Sequence, residues 1–422
     1  MPTNADSPKA THSRFGLAAL LAALAMFGPF SIDTMFPAFP AMAGALGVSD
    51  VAVQQTLSVY LIAYAAMALF HGPLSDAYGR RRLILVGTAV FTLASVGCAL
   101  APDLGWLLVF RAVQGISAGV GIIVGRAIIR DLYDGPDAQR LMSTVTMIFG
   151  VAPAIAPIIG GWVFEWAGWQ AVFWFLCVFG VLLWLGCLLW LRETLPVAQR
   201  QPISVGSLWG GYAEMLRDPM FRRLSWSAAF NFGSLFLFIS SAPMFVFEFL
   251  GMGALDFGWF FVPTISGMMV GAWLSGRLAG RVSAERCVGM AYAAMLVAGV
   301  ANIAYCSSSL PFALPWAVLP IALTAFGIAI AFPAITLMLL DRYPTHRGAA
   351  SSLQSFISLV FNAVIAGAAA PLLHGHPPVW LAISALTLSV AGYIAWQMRP
   401  RADGTPLPPV DSDVPLPNEG QQ

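Results

Sequence analysis

Lysine is almost absent from this sequence. Lys9 is the only lysine among 422 residues, and charged residues of both signs make up 10% of the chain. Soluble domains carry roughly 25% charged residues, so an ordinary soluble fold is excluded. Without a second lysine, the apolar part of the chain cannot contain a Walker A phosphate loop or a Schiff-base lysine. ATP-driven pumping by this chain alone is therefore disfavoured.

Cysteine and histidine are also scarce. The five cysteines are isolated within or beside apolar stretches, without the paired spacing of metal ligands. His71 and His346 border one set of predicted loops and His374 and His376 another, without the convergent ligands that a catalytic metal needs. We therefore expect no metal site and no cofactor. We recognise no set of catalytic residues in the sequence, so we do not expect an enzyme.

Long apolar runs are abundant. Hydrophobic residues make up 59% of the chain and recur in runs of about 20 residues, long enough to cross ~30 Å of hydrocarbon. We predict an all-α membrane protein with twelve transmembrane helices in two six-helix bundles. The predicted spans are 15–38, 52–71, 83–101, 105–128, 142–163, 170–191, 223–247, 257–277, 286–308, 314–339, 349–373 and 378–398.

The charges predict the orientation. If the N-terminus is cytoplasmic, every Lys and Arg except Arg111 lies in a cytoplasmic tail or loop, as the positive-inside rule requires. We therefore expect a multi-pass protein of the inner (plasma) membrane with both termini cytoplasmic. The predicted segments are a tail at 1–14, a bundle at 15–191, a cytoplasmic central loop at 192–222, a bundle at 223–398 and a disordered tail at 399–422.

Two further patterns bear on how the two predicted bundles are connected and related. Within the central break, Val205–Leu224 mixes aromatic and charged residues, which is typical of an interfacial helix but also compatible with a flexible linker. The loop Gly72–Arg82 matches Gly276–Arg286 at a constant offset, a weak internal repeat. Parallel repeats of this kind build one class of secondary transporters.

Asp33 and Arg111 are the only charged residues predicted well inside spans. A charge at the bilayer centre costs about 2.5–3.5 kcal/mol on insertion scales, so such residues need a partner or a function. Their distances from the predicted outer ends place both at one depth. The two could interact directly or through Gln114, one turn from Arg111 on the same face. They form either a structural ion pair or a proton-binding site.

The loop from Gly72 to Arg82 carries a distinctive pattern. Gly72 and Gly79 permit close backbone approach. Asp76 is placed to pair with a cytoplasmic arginine such as Arg126, or to cap a helix. With Arg80 and Arg81, this loop resembles the signature of the major facilitator superfamily, although Ala77 stands where that family usually has Arg. The resemblance implies a role in conformational change.

Other motifs narrow the resemblance. Leu108–Gly115 is similar to the fourth-span motif of the drug:proton antiporters, which implies proton transfer at Arg111. Ser31–Pro40 and Gly168–Trp174 resemble the bicyclomycin-resistance (Bcr/CflA) branch, as does Ser241–Pro243 in the second half. Gln170 and Ala68 depart from that branch, where Arg and Gln are usual.

A further stretch, in the fifth span, is similar to the antiporter motif of that family. Proline removes a backbone donor and glycine removes bulk, so this helix can bend and pack closely against a neighbour across the two halves. Ordinary small-residue packing is the alternative. The residues of the motif are Gly150, Pro153, Pro157, Gly160 and Gly161.

Polar residues on apolar helices are candidates for a substrate cavity. In the eleventh span Ser351, Ser355, Ser358 and Asn362 recur at helical spacing, with Gln354 beside them. They could contact a ligand or join neighbouring helices. Weaker candidates in the second and seventh spans are Tyr60, Tyr64, Asn231 and Ser234.

These observations together predict a proton-coupled antiporter. We expect it to export amphipathic small molecules, similar to bicyclomycin or chloramphenicol, from the cytoplasm by alternating access. The alternatives are an exporter of one endogenous metabolite and a non-transporting membrane sensor. The expected partners are a small-molecule substrate, protons and the lipid bilayer. Net charge is close to zero, so no nucleic-acid partner is expected. We expect a monomer.

Overall fold

The first half of the chain forms six helical spans. The computed structural model describes residues 14–133, 135–200, 205–278, 281–343 and 346–399. Two of the six spans consist of two helices separated by a short break. The helices are α1 (Arg14–Asp33) with α2 (Phe39–Leu46), α3 (Asp50–Tyr78), α4 (Arg80–Ala99), α5 (Leu104–Ala118) with α6 (Val120–Leu132), α7 (Gly135–Ala167) and α8 (Trp169–Trp190).

The second half repeats this arrangement after a short central helix, α9 (Val205–Arg217). The helical alternative for the central break is thereby confirmed. The remaining helices are α10 (Pro219–Ser240), α11 (Gly258–Leu278), α12 (Ala284–Cys306), α13 (Leu319–Asp341), α14 (Arg347–Val364), α15 (Ala370–Leu372) and α16 (Pro378–Gln397). Within each half the helices pack side by side, for example α3 on α5 and α12 on α13.

Eleven of the described helices or helix pairs are long and apolar enough to cross a membrane. The predicted span at 223–247 corresponds to α10 and a π-helical turn at Met244–Phe249. Arg222 and Arg223 lie in the first turns of α10, followed by several serines and Asn231, and this helix is not among the eleven. It is nevertheless packed against α13 and α16 like the other helices of the half.

Several predicted boundaries were wrong. The first span continues through a 3-10 turn at Phe36–Ala38 to Leu46 and does not end at 38. Pro37 and Pro40 are the second residues of the two short helices after Asp33, since proline is tolerated in the first turn of a helix. α10 begins at Pro219, before the predicted start of the second bundle at 223. Apart from Arg14 and Arg399, both predicted tails lie outside the described residues.

The two halves meet at one end of the bundle. We call the end with the loop at Gly79 the arginine-rich end, and the end with the loop at Gly47 the opposite end. Three side chains of α3 near the opposite end donate hydrogen bonds to carbonyl groups of the second half. Gln54 Nε2 donates to Ser240 (3.0 Å), Gln55 Nε2 to Gly367 (3.0 Å) and Ser58 Oγ to Ala363 (3.2 Å).

The central helix docks at the other end of α3. Pro73, within α3, has no N–H to donate to the carbonyl of Leu69, four residues earlier. The hydroxyl of Tyr212 on α9 donates to that carbonyl instead, at 3.1 Å. The central helix therefore attaches to the first half at the proline of α3, while it also packs against α10 and α14.

An ion pair fastens the start of α10 to the end of α13. Asp218 caps α10 and accepts hydrogen bonds from Arg342 Nε and the Tyr343 hydroxyl, both at 2.7 Å. Burial alone raises the pKa of the Asp218 carboxyl. The bonds from Arg342, Tyr343 and the Met220 N–H outweigh burial and hold that pKa below its ordinary value. The pair therefore favours the ionised carboxylate.

Asp218→Asn is expected to lower the free energy of unfolding by about 1–3 kcal/mol, because charge-assisted hydrogen bonds are lost. Thermal unfolding in detergent measures this as a lower Tm. Because the folded pKa is depressed, the stabilisation is present at neutral pH and is lost as the pH falls through that pKa. The difference from wild type should therefore shrink in acid. The control is Asp341→Asn, whose exposed pair with Arg347 at 3.4 Å should contribute little. Equal Tm values for all three proteins would contradict this account.

Candidate functional site

Arg111 is the centre of a polar network inside the first half. The side chain is fully buried on α5. Its Nη1 donates to the Ser31 carbonyl and hydroxyl, both at 3.1 Å, and its Nε donates to the Thr56 carbonyl at 3.3 Å. The guanidinium also lies 4.4 Å from the ring centroid of Tyr60. These contacts tie α1, α3 and α5 together around one buried positive charge.

Gln114 extends the network to a fourth helix. Its Oε1 accepts from Arg111 Nη1 at 2.7 Å, as the spacing of three residues on one face allows. Its Nε2 donates to the Ser95 hydroxyl of α4 at 2.8 Å. The second terminal nitrogen of Arg111, Nη2, is buried and has no hydrogen-bond partner among the described residues. One terminal nitrogen of the cation, with its two N–H donors, is therefore unsatisfied.

Asp33 does not pair with Arg111. Its side chain is 4% exposed and makes no hydrogen bond or ion pair within the described part of the chain. The predicted interaction, direct or through Gln114, is thus not formed: Nη1 and Nε of Arg111 bond to Ser31, Thr56 and Gln114, and the open Nη2 does not reach Asp33. Asp33 also lies farther from the end of its span than predicted, since the span continues to Leu46. Arg111 nevertheless contacts Ser31, two residues before Asp33, so the two charges lie within about one helical turn in height.

The fifth span, α7, packs against the helix break after Asp33. α1 ends at Asp33, and the backbone turns at Thr34 before the next helix. Gly160 of α7 packs directly on the Thr34 carbonyl, where a Cβ would overlap the oxygen. The neighbouring Gly161 packs on the Ala254 carbonyl in the second half, with equally little room. The two glycines therefore bring α7 against both halves, with Pro153 and Pro157 in the same helix.

Gly150, the first residue of that motif, differs from the other glycines. No atom lies within 4 Å of the place where its Cβ would be. Close packing is thus confined to the end of the motif that faces the break after Asp33.

At the arginine-rich end, the loop between α3 and α4 is bound to the first half. Arg80 pairs with Asp76 and, through Nε, with Asp131 at 3.1 Å. Its backbone N–H donates to Glu193 at 2.9 Å, and Gly79, with φ of +97°, leaves room for that carboxylate. Arg81 donates to the last carbonyls of α8, at Leu191 and Leu188. The remaining glycine of the loop, Gly72, has open space around it.

Asp76 therefore pairs with Arg80 and not with Arg126. Arg126, on α6, has an exposed side chain and makes no ion pair with the described residues. It interacts electrostatically with Tyr64 of α3. No ion pair of the loop in the described residues reaches the second half, and Asp76 remains half exposed.

Some polar atoms of the candidate residues in the second half have partners and others do not. Asn231 and Ser234 are buried within that half, where Asn231 Nδ2 contacts the Met295 sulfur and Ser234 donates to the Asn231 carbonyl. Gln354 donates to Thr336 at 3.1 Å. Among the described residues, Ser358 Oγ, Asn362 Oδ1 and Asn231 Oδ1 are buried without a hydrogen-bond partner. Buried polar atoms without a partner are uncommon in proteins, so these three are the ones open to a ligand or water.

The comparison with known families is decisive at this point. The sequence profile described as Major Facilitator Superfamily matches residues 17–371. The chain belongs to the Major Facilitator Superfamily. The resemblance of the loop at Gly72–Arg82 to that family is thereby confirmed, and the protein is a multi-span membrane transporter.

Relatives within the superfamily carry drug-resistance names. The chain is 29% identical to multidrug resistance protein D of Escherichia coli, over 84% of this chain and 89% of that protein. It is 27% identical to the bicyclomycin resistance protein homolog of Haemophilus influenzae, over 84% and 88%. An uncharacterized MFS-type transporter of Bacillus subtilis is 29% identical over 83% and 88%. The resemblance to the drug:proton antiporter branch is confirmed at this level.

Solved structures support the fold. The human organic anion transporter TETRAN superposes with a TM-score of 0.67 at 17% identity, covering 91% of this chain and all of that one. A D-xylose-proton symporter gives a TM-score of 0.67 at 14% identity, covering 93% and 99%. The predicted fold class, two six-helix bundles of the major facilitator type, is confirmed.

Sequence reasoning missed most partners of the buried arginine. Ser31, Thr56 and Ser95 lie on three other helices, and only helix packing brings them to Arg111 and Gln114. Asp131 and Glu193, which bind the family's loop motif, were likewise not identified. The polar residues Gln54, Gln55 and Ser58 at helical spacing were a signal that could have predicted an interface.

Proposed function

We propose that this member of the superfamily is a proton-coupled antiporter that exports amphipathic small molecules from the cytoplasm. In this proposal both termini and the arginine-rich end face the cytoplasm of a cell with an inner membrane, as the positive-inside rule indicates. The names of the drug-resistance relatives support the substrate class. Bicyclomycin-like and chloramphenicol-like drugs are the first substrates to examine.

The observation that carries the proposal is that the Asp33 carboxyl and the Arg111 guanidinium both lie buried in the first half with incomplete hydrogen bonding. Asp33 is 4% exposed and makes no hydrogen bond or ion pair with the described residues, and a carboxyl group in such a site costs much less free energy as the neutral acid than as the carboxylate. Arg111 has one terminal nitrogen, Nη2, without a hydrogen-bond acceptor at a similar height. A carboxyl that binds a proton in one state, and meets a cation or water in another, is the chemistry that proton coupling needs.

The contacts between the halves support alternating access. The hydrogen bonds from Gln54, Gln55 and Ser58 close the opposite end, which the proposal places outside the cell. The loop at Asp76 forms ion pairs only with the first half in the part of the chain that is described. Rocking of the halves would break the first set of contacts and allow the loop to meet the second half.

The substrate would bind between the halves, beside polar atoms that lack partners. Ser358 and Asn362 on α14 offer such atoms in the second half, and Tyr60 offers a hydroxyl in the first. These groups are uncharged, and the surrounding side chains are largely apolar. The arrangement favours neutral or weakly charged lipophilic molecules.

Inverted membrane vesicles test the proposal directly. The cytoplasmic face is outside in such vesicles, so substrate added outside should enter as protons leave an acidified lumen. Bicyclomycin, chloramphenicol and a panel of amphipathic amines and sugars should be compared, with a collapsed gradient as the control. If uptake of every substrate is the same with and without the proton gradient, proton coupling is contradicted. Response to a single metabolite and to none of the drugs would instead favour an exporter of an endogenous compound.

A further inference from the structure

His71 is a buried titratable residue that the proposed transport cycle does not yet use. It lies on α3, and its side chain is 1% exposed. Neither ring nitrogen has a hydrogen-bond partner among the described residues. The Ile116 backbone lies beside the imidazole, but the contact does not meet hydrogen-bond geometry. Buried histidines normally use at least one nitrogen in a hydrogen bond, so two open nitrogens need an explanation.

His71 shares one face of α3 with two tyrosines. Residues 60, 64 and 71 fall within a narrow arc at 3.6 residues per turn, so their side chains form a column along the helix. The column extends roughly 16 Å from Tyr60 to His71 at 1.5 Å per residue. The rings of Tyr60 and Tyr64 are 6.4 Å apart, edge to face.

A glycine in the fourth span marks the contact between Tyr64 and His71. The Tyr64 ring and His71 Nδ1 both lie 2.7 Å from the position that a Cβ of Gly119 would take. The two side chains are therefore neighbours, packed on the backbone where α5 ends and α6 begins.

The Tyr60 end of the column lies near the buried charges of Arg111 and Asp33. Tyr60 lies against Arg111 and interacts electrostatically with both Arg111 and Asp33. Its hydroxyl is buried near that of Ser31 without meeting hydrogen-bond geometry. Farther along, Arg126 of α6 interacts with Tyr64. Within the described residues, Asp33, Arg111 and Arg126 are the charged groups that interact with the column from the helices packed against it.

We propose that Tyr60, Tyr64 and His71 form a proton path from the level of Asp33 toward the arginine-rich end. This inference rests on the proposed proton coupling and extends it. Each hydroxyl accepts a proton from one neighbour and donates its own to the next, with water bridging the gaps. The neutral imidazole takes up a proton at its bare nitrogen and releases the proton of the other nitrogen to water, so no net charge remains. Rotation of the ring then restores the starting tautomer before the next proton. This step needs both nitrogens of His71 open, as they are.

His71→Gln should slow proton-driven transport about 10-fold or more, because glutamine cannot relay a proton through a ring. Substrate binding and substrate–substrate exchange, which require no net proton movement, should stay within about twofold of wild type. The rate should also become less dependent on cytoplasmic pH. Tyr64→Phe should also slow driven transport. The matched controls are His376→Gln and Tyr393→Phe, which lie off the column and should behave as wild type.

The outcomes separate the path from the proposed function. If wild type itself moves no protons with substrate, the proposed function fails. If wild type is coupled and His71→Gln retains both its rate and its pH profile, the path alone is wrong. If His71→Gln loses exchange as well, His71→Asn is measured, and equal loss of exchange and driven transport in both variants overturns the path in favour of a packing role.

Discussion

Gly160→Ala is expected to abolish most transport activity while the protein still reaches the membrane. The added Cβ would overlap the Thr34 carbonyl, which is backbone and cannot turn away. Overpacking of this kind typically costs about 1–3 kcal/mol, and here it displaces the segment next to Asp33. Transport measured at equal membrane abundance should fall about 10-fold or more, with a lower Tm in detergent.

The same motif provides matched controls for that result. Gly150→Ala has no atom within 4 Å of its new Cβ, and alanine favours a helix over glycine by about 1 kcal/mol. It should keep wild-type transport and a Tm at least as high. Gly161→Ala meets the Ala254 carbonyl across the halves and should slow transport with a smaller change in Tm. If Gly160→Ala and Gly150→Ala transport equally well, the close approach of α7 to the break has no functional role.

Asp33→Asn is expected to uncouple transport from the proton gradient. Asparagine is close to aspartic acid in size and keeps the buried site uncharged, so the fold and substrate binding should persist. It cannot release a proton, so driven efflux should fall about 100-fold or more. Asp341→Asn is the matched control, because that carboxylate is exposed at the end of α13, outside the network of Arg111. Substrate binding to detergent-solubilised protein establishes that Asp33→Asn is folded.

Arg111 is expected to act differently from Asp33. Its guanidinium holds α1, α3 and α5 together through Ser31, Thr56 and Tyr60, so it has a structural role in addition to its charge. Removing it would leave several buried acceptors without a donor. Loss of transport in an Arg111 variant is therefore less informative about proton coupling than loss in Asp33→Asn.

The sequence was most informative where the signal was local. The apolar runs predicted the spans, and the spacing of Arg111 and Gln114 predicted neighbours on one helical face, which the structure brings to 2.7 Å. The glycines of the fifth span were placed in close helix packing, which the structure shows at Gly160 and Gly161. These properties depend on helix geometry and side-chain size, and both can be read from a single segment.

Properties that depend on how helices pack were not predictable. Arg111 and Asp33 are opposite charges at a similar height, yet Arg111 bonds to Ser31, Thr56 and Gln114 and not to Asp33. The rotation of α1 against α5 decides this, and no local pattern encodes it. Similarly, the prolines at 37 and 40 restart a helix after the break, so the first span is longer than its apolar run indicated.

The most direct measurement is proton movement during substrate uptake by Asp33→Asn in acidified inverted vesicles. Wild type and Asp341→Asn should release luminal protons when substrate is added and should accumulate substrate until an uncoupler is present. Asp33→Asn should bind substrate, release no protons and show no uncoupler-sensitive uptake. If Asp33→Asn retains uncoupler-sensitive uptake with concurrent proton release, Asp33 is not the proton carrier and the central claim is wrong.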